Sequence, residues 1–158
     1  VKILDRRRSR GTTAVEFAIV GAALLATIVF VIDLSRIVYL RMTLEEGVRR
    51  AARLAAVCPV GDPLPAAAAI FADPALSAAA IPGATPANVR IRYLDSDGAI
   101  VADPVAGFTS IRFVRVSLEG VEVPLLAPFI SGVFAPTNLS ATAPAESLGV
   151  SPGAVTPC

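Results

Sequence analysis

From Gly11 to Ile32 the chain is apolar at nearly every position, interrupted only by Thr12, Thr13, Glu16 and Thr27. As a helix, Thr12–Ile32 rises roughly 30 Å, the thickness of the hydrocarbon core of a bilayer. Apolar side chains all round a helix predict burial in lipid or in a large core. The pattern then changes without a break. Leu34, Ile37, Val38, Leu44, Val48, Ala51, Ala52 and Ala55 recur near the three-to-four spacing of a single apolar face. Asp33 with Arg36, Glu45 with Arg49, and Glu46 with Arg50 fall one turn apart. No proline occurs between Val1 and Val57, and Pro59 forbids continuation. The spacing predicts one helix of about 45 residues and roughly 70 Å, half in lipid and half outside as an amphipathic stem.

Beyond Cys58 the pattern shortens. Asp62–Ile81 is alanine-rich, with Pro63, Pro65 and Pro74 as interruptions. It predicts short helices over Leu64–Ala72 and Pro74–Ala80, with Pro74 in a first turn; a low-complexity linker is the alternative. Val89, Ile91 and Tyr93 alternate with Arg90 and Arg92, the signature of a half-buried strand. Asp95-Ser96-Asp97-Gly98 supplies turn chemistry, and Ala99–Ala102 is expected to return as a short strand. Ser110–Glu119 is the strongest strand. Its Ile111 and Phe113 share one face and Val114, Val116 and Leu118 the other, which predicts a bulge or burial on both faces. Leu125–Phe134, interrupted by Pro128 and Gly132, reads as a packed loop or helical turn, and Asn138–Ala143 as a last strand. Three or four antiparallel strands with a helix across one face make an α+β domain. About a hundred residues can close a small core if the outer half of the stem joins it.

Composition agrees with a membrane helix plus one small domain. Of 158 residues, 54% are hydrophobic, and the mean hydropathy of +0.68 is high for a soluble protein of this size. The net charge of +1 conceals an asymmetry. Lys2, Arg6, Arg7, Arg8 and Arg10 precede the apolar run with only Asp5 against them, which places the N-terminus in the cytoplasm. A nucleic-acid patch fits poorly, because the arginines abut a span and lack aromatic partners. After the run comes Asp33-Leu34-Ser35-Arg36, without the small-x-small site of a cleavable signal peptide, so the segment reads as a signal anchor.

Catalytic chemistry is scarce. The chain has no histidine and no tryptophan, no serine in a Gly-x-Ser-x-Gly turn and no phosphate-cradling glycine loop, so neither an enzyme nor a cofactor is expected. Asp95-x-Asp97-Gly98 shares part of a calcium loop, but Tyr93 occupies the preceding ligand position and the distal glutamate is missing. Cys58 stands where the helix ends and Cys158 closes the sequence. Both fall on the oxidising side of the membrane, where structural disulfides persist. Metal binding and a catalytic thiol both lack company, so a bridge is expected.

A carboxylate inside an apolar helix costs roughly 2.5–3.5 kcal/mol at mid-bilayer and less near the headgroups, so Glu16 has some use. The run Arg6-Arg7-Arg8-Ser9-Arg10-Gly11-Thr12-Thr13-Ala14-Val15-Glu16-Phe17 resembles the prepilin processing site of type IV pilins and pseudopilins. With Asp33, Arg36, Tyr39 and Arg49-Arg50-Ala51-Ala52-Arg53, the stretch from Arg7 to Val57 most resembles the TadE/TadF-like branch of the tight-adherence pilus. The two cysteines are also similarly placed in members of that family.

The resemblance implies a pilin-like fold and cleavage by a prepilin peptidase after Gly11, making Thr12 the first mature residue. Glu16 and Phe17 would then serve subunit assembly, with Glu16 facing the new α-amino group of a neighbouring Thr12. Expected partners are that peptidase, the major and other minor pilins, the inner-membrane assembly platform and the lipid bilayer, but no nucleic acid. Residues 1–11 form a basic cytoplasmic leader. Residues 12–57 form the helix, spanning the membrane over about 12–32 and continuing as a stem over 33–57. Residues 58–158 form a periplasmic or extracellular domain of a single-pass protein of the bacterial inner membrane. That domain is large beside the short major pilins of such systems, which points to a minor subunit. Other readings are a permanently anchored envelope scaffold, an adhesin using Leu125–Phe134, and a Glu16 that only snorkels to the cytoplasmic interface.

Overall fold

A computed structural model describes residues 5–72, 81, 83–126, 132–151, 154–155 and 157–158, with side chains from residue 11 onward except that of Ser151. The expected Pro74–Ala80 helix lies outside the described residues. The chain divides into two compact units, one holding α1 up to Val38 with Leu125–Gly132, the other Tyr39–Pro124 with Val133–Cys158.

Helix α1 runs over Asp5–Val57, 53 residues without a break. It therefore starts earlier than the apolar run. Arginine is a good helix former, and one internal glycine costs only about 1 kcal/mol, so helix propagates through Gly11 and into the basic segment. In the first unit α1 is almost bare. Along Gly11–Ile32 every residue is exposed except Gly21 and Val29, which are half-buried. Two hydroxyls bond back into the helix: Thr27 Oγ1 donates to the Ala23 carbonyl and, just past the apolar stretch, Ser35 Oγ to that of Val31, both at 2.8 Å.

In the second unit the remainder of α1 packs on a small antiparallel sheet, a pilin-like α+β arrangement. Leu40, Leu44, Val48, Ala51, Ala52 and Ala55 share one core with Val89, Tyr93, Val114, Val116, Leu118 and Leu139. The amphipathic face is thus shifted from the expected one. Leu34 and Val38 are exposed, and Leu40 is the first core residue. The ion pairs shift as well. Asp33 meets Arg36 at 3.7 Å as expected, but Glu45 takes Arg41 at 3.2 Å and Glu46 takes Arg49 at 3.9 Å.

Three strands form the main sheet in the order β1 (Val89–Leu94), β2 (Phe113–Leu118), β5 (Leu139–Pro144). Register places Val89, Leu118 and Leu139 in one row, Ile91, Val116 and Ala141 in the next, and Tyr93, Val114 and Ala143 in a third. These rows face α1. The β2 register runs without a bulge, and Phe113 lies on the outer face. Ile111 is buried ahead of the strand, after a single 3-10 turn at Phe108–Ser110. That turn resets the phase, so neither the bulge nor two-sided burial occurs. The Asp95 turn forms, with Asp95 Oδ1 accepting from the Asp97 and Ala99 amides, each at 2.9 Å. Ala99–Ala102 contributes only an isolated bridge, Leu94 to Ile100, rather than a strand.

Shorter pieces complete the domain. α2 covers Leu64–Ala69. β3 (Val123–Pro124) pairs antiparallel with β4 (Val133–Phe134), and of the Leu125–Phe134 segment expected as a packed loop or helical turn, residues 127–131 lie outside the described residues. β6 (Val150–Ser151) pairs with β7 (Ala154–Val155), a hairpin too short to leave a period in the sequence.

Candidate functional site

The sequence singles out Gly11, Thr12, Glu16 and Phe17, and the structure places all four on the exposed surface of α1. Glu16 stands one turn beyond Thr12, on the same helical face. Phe17 is 79% exposed. A β-carbon built on Gly11 would meet nothing within 4 Å. The Gly11–Thr12 peptide is helical, so a protease that needs extended backbone must first unwind it. Glycine eases this, since it holds helix about 1 kcal/mol less well than alanine. The surrounding helix is long and apolar enough to cross a membrane, with a window of hydropathy 2.6 none of which is buried.

The second cluster lies where α1 ends. Pro59 stops the helix, and the turn at 146–149 takes up its last carbonyls. The Glu146 amide donates to the Ala56 carbonyl at 3.0 Å, the Leu148 amide to the same oxygen at 3.3 Å, and Ser147 Oγ to the Val57 carbonyl at 3.2 Å. Gly149 has a φ of +77°, and a β-carbon there would run into the Pro59 ring. Beside this junction Cys58 and Cys158 form a disulfide with Cα atoms 5.6 Å apart, closing 100 residues of sequence separation.

Two groups escaped the sequence reading. Asp33, placed there one turn from Arg36, is only 4% exposed. Its Oδ2 accepts the Leu126 backbone amide at 3.1 Å across 93 residues. Nothing in the local sequence signals that partner; the hint is a carboxylate placed directly after an apolar run. The outer sheet face carries the other group. Arg92 sits directly opposite Arg115, and Glu119 lies within 3.3 Å of Arg92 and 4.0 Å of Arg90. Arg115 Nε donates to Thr142 Oγ1 at 3.2 Å. Alternation revealed Arg90 and Arg92 as outward-facing, but only the register reveals Arg115 as their neighbour.

Tyr93 is the titratable group most affected by the fold. Burial raises its pKa above the usual 10.0, the Gly61 backbone N–H lowers it through a hydrogen bond, and Asp62 raises it. A groove of about 290 Å³ is lined by Arg49, Arg53, Ala141–Pro144 and Glu146. Among the described residues no group of three His, Cys, Asp or Glu side chains is placed to hold a metal ion.

No curated protein and no solved structure matches the chain. A protein family does, and its match begins at Gly11 and runs through the bare part of α1 into the stem. Residues 11–53 are a TadE-like protein domain.

Proposed function

We propose that the chain is a minor, pilin-like subunit for assembly of a tight-adherence (type IV-like) pilus, matured by a prepilin peptidase that cuts between Gly11 and Thr12. TadE-like proteins are a structural, non-enzymatic family associated with this pilus. The observation that carries the proposal is the family match itself, which starts at Gly11 and includes Glu16. In this reading the basic residues hold the N-terminus in the cytoplasm, Thr12–Ile32 spans the inner membrane, and the disulfide-closed domain lies in the periplasm.

Assembly then follows from the helix. A bare apolar helix leaves lipid readily only for an equally apolar setting, which the bundled helices of neighbouring subunits provide. There Glu16 needs a counter-charge, and cleavage creates one at the α-amino group of Thr12 in an adjacent subunit. A desolvated ion pair adds little net stability but disfavours misregistered neighbours, where a charge would be left buried and alone. Phe17, next to Glu16, supplies apolar surface to the same contact.

Glu16→Ala separates this role from snorkelling. The account predicts normal membrane levels and normal maturation, with loss of co-purification with the other pilins. Wild-type co-purification and piliation in the mutant strain would return Glu16 to the snorkelling role. The unbroken helix through Gly11 favours one other reading, a permanent anchor that keeps its first residues and scaffolds an envelope assembly.

A further inference from the structure

We infer that the backbone just past β3 rests on the outer surface of the membrane crossed by α1, with Leu126 in contact with lipid and Asp33 as the tether that sets its depth. This rests on the membrane-spanning reading of Thr12–Ile32 and adds a second, non-helical point of contact.

Depth is fixed by the helix. From Thr12 to Asp33 α1 rises about 30 Å, so Asp33 stands at the far edge of the hydrocarbon core. Leu34 and Val38 beyond it are still exposed, and Tyr39, of the residue type that favours the headgroup level, follows at 69% exposure. Asp33 Oδ2 accepts the Leu126 amide at 3.1 Å, so Leu126 is held at that level. Leu125 and Leu126 belong to the same compact unit as α1 up to Val38.

The chemistry of Leu125 and Leu126 fits the same place. Non-helical backbone near lipid must have its N–H groups satisfied without water. Leu125 donates its amide to the Gly132 carbonyl at 3.1 Å, and Leu126 donates to Asp33. The Leu126 side chain is left 57% exposed. In water an exposed leucine gains nothing; beside the apolar belt of α1 it continues a surface already in lipid. Burial of Asp33 has a purpose here too. A carboxylate just past an apolar run would ordinarily face water, and this one faces a backbone amide instead. A lipid surface is therefore the occupant to which Leu126 is offered, and a protein partner is the alternative outcome.

The chain lacks tryptophan, so a single introduced indole reports its own surroundings. Full-length Leu126→Trp and Phe17→Trp are reconstituted in vesicles of phosphatidylethanolamine and phosphatidylglycerol, with and without brominated acyl chains. Quenching of both variants is expected, with Leu126→Trp quenched best by bromines near the headgroup and Phe17→Trp by deeper ones. Quenching of Phe17→Trp alone would overturn the lipid contact and leave the anchor reading standing, assigning position 126 to water or a protein partner. Quenching of neither would overturn both. Asp33→Ala in the Leu126→Trp background should bring quenching down toward the unbrominated level, whereas Asp33→Asn, which keeps an acceptor oxygen, should retain it. Unchanged quenching in Asp33→Ala would overturn the tether.

Discussion

Removing the Cys58–Cys158 bridge should destabilise the sheet domain by an amount that depends on which cysteine is changed. The bridge closes a sequence separation of 100 residues. Loop-closure entropy for such a ring sets an upper value of about 4.7 kcal/mol. That value assumes the two ends stay fixed when the bond is absent. Cys58 does stay fixed, being fully buried at the end of α1. Cys158 is exposed, and the chain before it carries the short two-residue pairing of β6 with β7. Without the bond the tail gains freedom in the folded state too, and part of the entropic benefit disappears. We therefore expect Cys158→Ala to cost about 2–3 kcal/mol. For a unit of this size that lowers the melting temperature by roughly 8–15 °C. Cys58→Ala should cost about 1 kcal/mol more, because it also leaves a void in a buried site. Thermal and guanidinium unfolding of the full chain in detergent, followed by circular dichroism with and without reductant, measures both. Equal stability of wild type and Cys158→Ala under oxidising conditions would refute the reasoning. So would a reductant effect that persists in the variant.

Gly47 lies where α1 meets the end of α2, and a β-carbon there would overlap the Ala69 carbonyl and come within 3.1 Å of Phe71 Cε2. Gly47→Ala gains about 1 kcal/mol of helix propensity but overpacks at a cost of about 1–3 kcal/mol, so a lower denaturation midpoint is expected and a higher one would show that α2 yields freely. Tyr93 gives a pH dependence. Its folded pKa is raised by burial, so its contribution to stability is full below the unfolded value of about 10 and is lost as pH rises past it. Unfolding midpoints should fall in strong alkali, and Tyr93→Phe should flatten that fall; an unchanged slope would show that other groups govern it.

The helix was legible because its signal is long. An apolar run followed by an amphipathic one, with no proline before Pro59, admits little else. β1 was legible because Arg90 and Arg92 alternate with buried neighbours. Phe113 misled because alternation counts positions but cannot see the 3-10 turn that resets the phase before β2. The pairing of Glu45 with Arg41 rather than Arg49 turned on rotamers among near-equal partners, each contact worth only roughly 0.3–0.5 kcal/mol. Asp33 was misjudged for another reason. Its partner is a backbone amide 93 residues away, and a backbone donor carries no residue type to read. The cysteines were legible through chemistry rather than pattern, since a chain without histidine leaves two thiols few uses other than a bridge.

The central claim is that Gly11 marks a processing junction, and the intact mass and N-terminal sequence of the native protein from the envelope test it most directly. The account predicts a mature protein that begins at Thr12, and a Gly11→Val variant heavier by the leader, because a side chain there obstructs entry to the peptidase. A native protein that retains the residues before Thr12, with the same mass change in wild type and variant as their sequences alone require, would contradict it and leave α1 a permanent anchor.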